Sequence, residues 1–268
     1  MRWFVLAIWA IVLPVSAQDA NEIIRRSVDR DAYNFERLKN YTFLERSEER
    51  RYDRDGKLKS TDVETEEILI LVGRPYGRLI ERDDKPLSEK EALKEQQKMD
   101  KELEKRRRES ERDKADQDKD RAEQRRFLRE VPEAFNLTLK GSEQLSGRAV
   151  WVIDAQPKPG YKPKAKRADL LTKIRGKIWV DQMDYQWVKA EVEIIDAISV
   201  GLGLLRIAPG GTVRFEQTRV NDEVWLPLRV NVAANARLAY LKKLRAELDI
   251  TYRNYRKFQT DSRIVEVE

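Results

Sequence analysis

The sequence predicts an α+β fold: a curved antiparallel β-sheet of about ten strands, a half-barrel, with an N-terminal helix and a long charged helical insert. Three observations predict it. Residues 19–39 repeat apolar side chains at three to four residue spacing. From Tyr41 the period changes to two, and after Pro132 it holds through seven further segments. Between these stretches, residues 88–130 contain no Gly or Pro and little except charge.

Residues 1–17 begin with Met1 and Arg2, run apolar over 3–13, and close on the small-x-small pattern of Val15, Ser16 and Ala17. This is the pattern of a cleavable signal peptide, too short for a bilayer span of about 20 apolar residues. The expectation is export to the periplasm and a single domain over residues 18–268.

Among 268 residues there is no Cys and no His. Stability must therefore come from core burial without disulfides, and His-based triads and zinc sites are excluded. Carboxylate-only chemistry stays open, but the reading is a protein that is not an enzyme and uses no metal or cofactor. The net charge of +6 is small beside a charged fraction of 38%. Its excess is local: Lys158, Lys162, Lys164, Lys166, Arg167, Lys173, Arg175 and Lys177 face one acid, Asp169. The plain reading is a solvated Pro-rich loop. The functional one is a patch for anionic lipid headgroups, with peripheral membrane contact. Nucleic acid is disfavoured because export removes the chain from it.

Ile23, Ile24, Val28 and Leu38 set the apolar stripe of the first helix, and Asp19 is its N-cap. Asp55-Gly56 signals a hairpin after the first strand, and Gly73 with Pro75 ends the second. In 88–130, good helix formers and i,i+4 opposite charges, worth a few tenths of a kcal/mol per pair, support helix. The large apolar residues there are only Leu93, Met99, Leu103, Phe127 and Leu128, too few for a coiled coil. The segment reads as one long helix or a helical hairpin ended by Pro132, either a solvated excursion or a partner surface.

Residues 177–194, KIWVDQMDYQWVKAEVEI, hold two carboxylates three apart. With Gln182, Met183 and Asp184 as the loop, Asp181 pairs with Tyr185, Trp179 with Trp187 and Ile178 with Val188. The acids then serve as turn formers in solvent, with Asp184 in the left-handed position. Both indoles fall on the charged face, as does Trp225 beside Arg229 and Asn231. An aromatic on a mixed face covers aliphatic stems or lines a surface where something apolar docks. Residues 197–209, AISVGLGLLRIAP, add Leu202, Leu204, Leu205 and Ile207. They read as a buried strand or short packed helix, or as a loop that gates a cavity or touches a membrane.

The signal peptide, the helix ANEIIRRSVDRDAYNFERLKNYTF and the runs GRAVWVIDAQPKP, GKIWVDQMDYQWVKAEVEIID and VNDEVWLPLRVNV together resemble the periplasmic outer-membrane lipoprotein-sorting superfamily, the LolA/LolB-like and RseB-like half-barrels. The resemblance covers most of residues 20–260, and the insert departs from it. It implies a curved antiparallel sheet whose apolar concave face, lidded by helices, binds lipid acyl chains or lipoprotein without chemistry. The candidate cavity side chains are Phe43, Trp179, Trp187, Trp225, Leu202, Leu204, Leu205 and Ile207. The candidate headgroup patch is Lys158, Lys162, Lys164, Lys166 and Arg167. The alternative is an envelope sensor or interaction module of the same fold that holds a protein partner on the insert.

Overall fold

The computed structural model describes residues 19–53, 55–200, 205–238 and 242–258. The predicted signal peptide lies outside them, as do Leu202 and Leu204 of the apolar run. Among the described residues, no helix is long and apolar enough to cross a membrane.

The fold is α+β, built on one open antiparallel sheet of thirteen strands. Helix α1 (Ala20–Leu38) leads into β1 (Tyr41–Tyr52), β2 (Leu58–Leu71), β3 (Arg74–Arg82) and β4 (Lys85–Pro86). Helices α2 (Glu89–Arg107), α3 (Glu111–Arg129) and the single turn α4 (Val131–Ala134) follow. Then come β5 (Phe135–Leu145), β6 (Arg148–Pro157), a 3-10 helix (Ala168–Lys173), β7 (Ile174–Asp181) and β8 (Trp187–Ile194). The chain ends in β9 (Ile198–Val200), β10 (Leu205–Ile207), β11 (Thr212–Val220), β12 (Val224–Leu238) and β13 (Lys242–Lys257). The main path runs β4-β3-β2-β1-β13-β12-β11-β8-β7-β6-β5. Every step is a hairpin between near neighbours in sequence except β1 on β13, where the last strand closes onto the first, and the β11 to β8 step across the β9–β10 pair. The three strands beyond the expected ten are the short β4, β9 and β10. Within 197–209, β9 and β10 pair antiparallel with each other, and β10 also pairs with the far end of β12. Leu238 ends β12 opposite Lys242, the first residue of β13.

Asp19 caps α1 by accepting a hydrogen bond from the Asn21 amide at 3.0 Å. The helix lays Ala20, Ile23 and Ile24 on Trp151, Ile153 and Val180 of the sheet. Each such side chain taken from water contributes roughly 1.5–3 kcal/mol. A second apolar cluster lies on the other face, where Val150, Val152, Trp179 and Val188 meet Leu145 and Trp225. The sheet is therefore apolar on both faces in its β5–β8 half.

The insert is two successive helices, α2 resting on β3 and α3 on α1, with a capping box at each N-terminus: Ser88 with Glu91, and Ser110 with Asp113. Its two helices behave differently. α2 buries none of its residues and docks on the sheet edge by polar contacts. There the Arg106 guanidinium donates to the carbonyls of Leu71 and Arg74 at 3.0 Å and Pro75 at 3.2 Å, and Arg74 pairs with Glu109 at 2.7 Å. α3 returns toward α1 and brings Phe127 and Leu128 to the protein body. Pro132 lies in the first turn of α4, where its missing N–H costs nothing.

The hairpin at 177–194 differs from its expected register. The loop has four residues rather than three: the Asp181 amide donates to the Gln186 carbonyl at 2.8 Å and the Tyr185 amide to the Asp181 carbonyl at 3.0 Å. Tyr185, at φ 55°, takes the left-handed position expected for Asp184. The extra residue is absorbed by a bulge at Val188, so Trp179 opposes Lys189 and Val180 opposes Trp187. A one-residue slip reverses every side chain beyond it. Trp179 and Trp187 consequently stand on opposite faces and do not pair.

Candidate functional site

The acids of that turn are not in solvent. Asp181 is fully buried and is held by the Arg148 guanidinium at 2.5 and 2.8 Å and by the amides of Met183 and Asp184 at 3.0 and 2.8 Å. Burial works against its charge, but Arg148 and the two amides outweigh it and hold the carboxyl below the usual range. Asp184 accepts from Trp225 Nε1 at 2.9 Å and lies 3.2 Å from Arg148 and 3.5 Å from Arg219. Both carboxylates take part in holding the end of the sheet together.

The feature with capacity for a ligand lies on the helix face. A half-open cavity of about 200 Å³ lies between α1, the end of α3 and the sheet surface of β5 to β8. The sequence makes this space by placing small residues where a strand would carry a large one. Ala155, Gly176 and Val192 stand side by side on β6, β7 and β8, and Ala190 lines the same floor. A side chain at Gly176 would run into the carbonyl oxygen of Glu191 on the next strand, so glycine is required there. Ile24 and Val28 of α1 form the roof, Phe127 and Leu128 of α3 close one side, and Trp187 forms a wall. Trp187 is fixed by stacking on Phe215 at 4.8 Å and by donating from Nε1 to Asp31 at 2.9 Å.

Phe127 and Leu128 also border two neighbouring hollows. Leu128 lines one of about 190 Å³ between α1 and α3. Both residues line a wider groove of about 580 Å³ beside Lys166 and Arg167. The tip of α3 is thus a thin partition between the cavity and the basic loop. That loop is anchored by Glu130, the residue between α3 and α4, which accepts from the Tyr161 hydroxyl and from the amides of Lys164, at 3.0 Å, and Ala165. Burial opposes the Glu130 charge, yet these donors prevail and hold the carboxyl below its ordinary range.

The candidates from sequence are dispersed. Trp187 lines the cavity. Trp179 and Trp225 share the cluster on the other face, where Trp179 donates to Glu143 at 3.0 Å under the Lys189 ammonium, 4.4 Å above its ring. Phe43 packs with Tyr252 and Tyr255 in the β1–β13 half, at centroid distances of 6.0 and 5.0 Å. Leu205 and Ile207 lie in β10, outside the cavity lining. Leu202 and Leu204 lie outside the described residues. Of the basic set, Lys166 and Arg167 border the groove at the partition, while Lys158, Lys162 and Lys164 border a separate hollow beside the start of α1. The floor residues Ala155, Gly176 and Ala190 were missed, although a glycine inside a strand is itself a signal of close approach or open space.

No family model and no curated protein matches the chain. Its fold is similar to that of solved structures at low identity. A domain from Vibrio parahaemolyticus named for outer membrane lipoprotein sorting is 12% identical, with a TM-score of 0.36 over 92% of this chain and 96% of that one. A LolA superfamily protein from Nitrosomonas europaea is 12% identical, with a TM-score of 0.30 over 91% and 95%. The MucA/MucB complex of Pseudomonas aeruginosa supplies a match at 10% identity and a TM-score of 0.27, over 90% and 99%.

Proposed function

We propose that the chain is an exported, non-catalytic carrier of the cell envelope that binds the acyl chains of a lipid or lipoprotein between its sheet and helices. The observation that carries this is the half-open apolar cavity floored by Ala155, Gly176 and Ala190 and bordered by Phe127 and Leu128. At about 200 Å³ it is smaller than an ordinary ligand site of roughly 300–1,000 Å³. It exceeds the roughly 150 Å³ engineered cavity that takes up benzene, so its size is sufficient for part of a chain. Movement of Phe127 and Leu128 would join it to the adjoining groove. The basic loop, with Lys166 and Arg167 nearest that groove and Lys158, Lys162 and Lys164 beyond, would then face anionic headgroups at a membrane surface.

The test is solvent extraction of the purified protein followed by mass spectrometry, together with uptake of a fluorescent acyl probe by wild type and Ala190→Trp. Co-purifying lipid and probe uptake that the indole abolishes are expected. A wild-type protein that carries no lipid and takes up no probe would sink the reading.

The competing reading, a module that holds an envelope protein on the insert, draws on α2, which buries no residue of its own. Charge reversal along α2 that abolished partner capture and spared probe uptake would favour it.

A further inference from the structure

The apolar cavity borders the hollow of about 190 Å³ between α1 and α3, because Val28 and Leu128 line both. The two walls of that hollow carry opposite charge. Arg121, Arg125 and Arg129 follow one another at four-residue spacing along one side of α3, and Asp29, Asp31 and Glu36 of α1 line the same hollow. Among the described residues no ion pair joins the two walls. Arg121 pairs within its own helix, with Asp118 at 3.7 Å, and Glu36 within its own, with Lys39 at 2.5 Å. Asp31 accepts from Trp187. Arg125, Arg129 and Asp29 are exposed and have no hydrogen bond or ion pair with any described residue. Each wall therefore presents charge that the fold itself does not answer.

We propose that this hollow binds a zwitterionic headgroup carrying a phosphate and a primary ammonium, as in phosphatidylethanolamine, with the acyl chain passing between Val28 and Leu128 into the apolar cavity. The proposal rests on the acyl-binding reading above. Arg125 and Arg129 take the phosphate oxygens, which match the planar donors of a guanidinium. Asp29, with Glu36 two turns further along α1, accepts from the ammonium. A purely anionic headgroup is attracted by the arginine wall and repelled by the acid wall, so charge of fixed direction across the hollow selects a dipolar ligand over a net charge. A choline headgroup keeps both charges but has no N–H to donate to the carboxylates. The basic loop lies on the other flank of α3, where Lys166 and Arg167 border the wider groove. A ligand held between α1 and α3 leaves that loop open to the membrane surface.

Displacement of the neutral probe N-phenyl-1-naphthylamine from the purified protein, at neutral pH and low salt, tests this with four submicellar ligands that share one oleoyl chain: lysophosphatidylethanolamine, lysophosphatidylcholine, lysophosphatidylglycerol and 1-oleoylglycerol. The ethanolamine lipid should displace the probe at about tenfold lower concentration than each of the others, the value of one hydrogen bond to a charged group. Arg125→Gln with Arg129→Gln, and separately Asp29→Asn, should each shrink that advantage to about twofold or less, with 1-oleoylglycerol displacing as before. Asp29→Asn should also tighten binding of lysophosphatidylglycerol, which a merely structural residue would not do. Because these side chains have no partner in the fold, the urea midpoint of both variants should match wild type. Three results would each overturn the headgroup site and leave acyl binding standing: equal displacement by the three phospholipids, an advantage that survives either variant, or a lowered urea midpoint in both, which would make the two walls a helix–helix contact. A wild-type protein that binds neither probe nor lipid overturns both.

Discussion

Trp187 and Asp31 are joined by a 2.9 Å hydrogen bond from the indole Nε1 to Oδ1, which fastens the eighth strand to the first helix across the roof of the cavity. The same indole stacks on Phe215 at 4.8 Å, so one side chain serves helix, sheet and cavity wall. Trp187→Phe separates these roles, because it keeps an aromatic wall and removes the donor. It should lower stability by about 1–3 kcal/mol, the cost of leaving a buried partner short of one bond. Urea denaturation reads this directly. A change below a few tenths of a kcal/mol would mean that Asp31 finds another donor.

Asp181 gives a prediction with a defined pH dependence. Its carboxyl is held below the ordinary Asp value of 3.8. The folded state therefore prefers the ionised form more than the unfolded chain does. The contribution is fully present above that ordinary value and is lost as pH falls below it. Asp181→Asn keeps the shape but removes the charge facing Arg148, and should cost about 1.5–3 kcal/mol near neutral pH. The gap between the two proteins should narrow in acid denaturation below pH 4. A gap that is constant with pH would assign the loss to packing.

The elements were legible because each carries its own period. The stripe of Ile23, Ile24 and Val28 and the alternation in 212–220 depend on neighbours a few residues away, and so does the Asp19 cap of α1. The hairpin at 177–194 was misread by a single residue, since loop length is decided by how Asp181 is satisfied, and Asp181 is satisfied by Arg148 from another strand. Once the Val188 bulge moved Trp187 to the helix face, the apparent pair of indoles became two unrelated contacts. The cavity was illegible for a deeper reason. It is defined by what Ala155, Gly176 and Ala190 leave unfilled on three strands and by where α3 ends, and no local pattern joins those positions.

Glu130 links the insert to the basic loop, and its substitution tests that link. Glu130→Gln weakens the acceptor for Tyr161, Lys164 and Ala165, at an expected cost of about 1–3 kcal/mol. The carboxyl is held below its ordinary value of 4.5, so this contribution too is present above that pH and lost below it. Loosening should be local and visible as faster tryptic cleavage after Lys164 and Lys166 at pH 8, with slower change at Arg107 and Arg108 as the internal reference. Equal acceleration at both places would point to global destabilisation.

The two helices of the insert should respond oppositely to the same kind of substitution. Leu93 on α2 is 60% exposed, and Leu93→Ser should change stability by no more than about 0.5 kcal/mol, as for a surface site. Phe127 and Leu128 on α3 are partly buried over the cavity. Phe127→Ser with Leu128→Ser removes two large apolar groups from a site that cannot collapse, because the floor is a hydrogen-bonded sheet. Full burial of such groups is worth roughly 2–5 kcal/mol each, and their partial exposure brings the sum to about 2–4 kcal/mol. The opened cavity should also bind 1-anilinonaphthalene-8-sulfonate with a several-fold rise in fluorescence, which Leu93→Ser should not produce. If the double variant matched Leu93→Ser in both stability and dye binding, α3 would be a solvated excursion like α2, and the partition between cavity and groove would have no energetic basis.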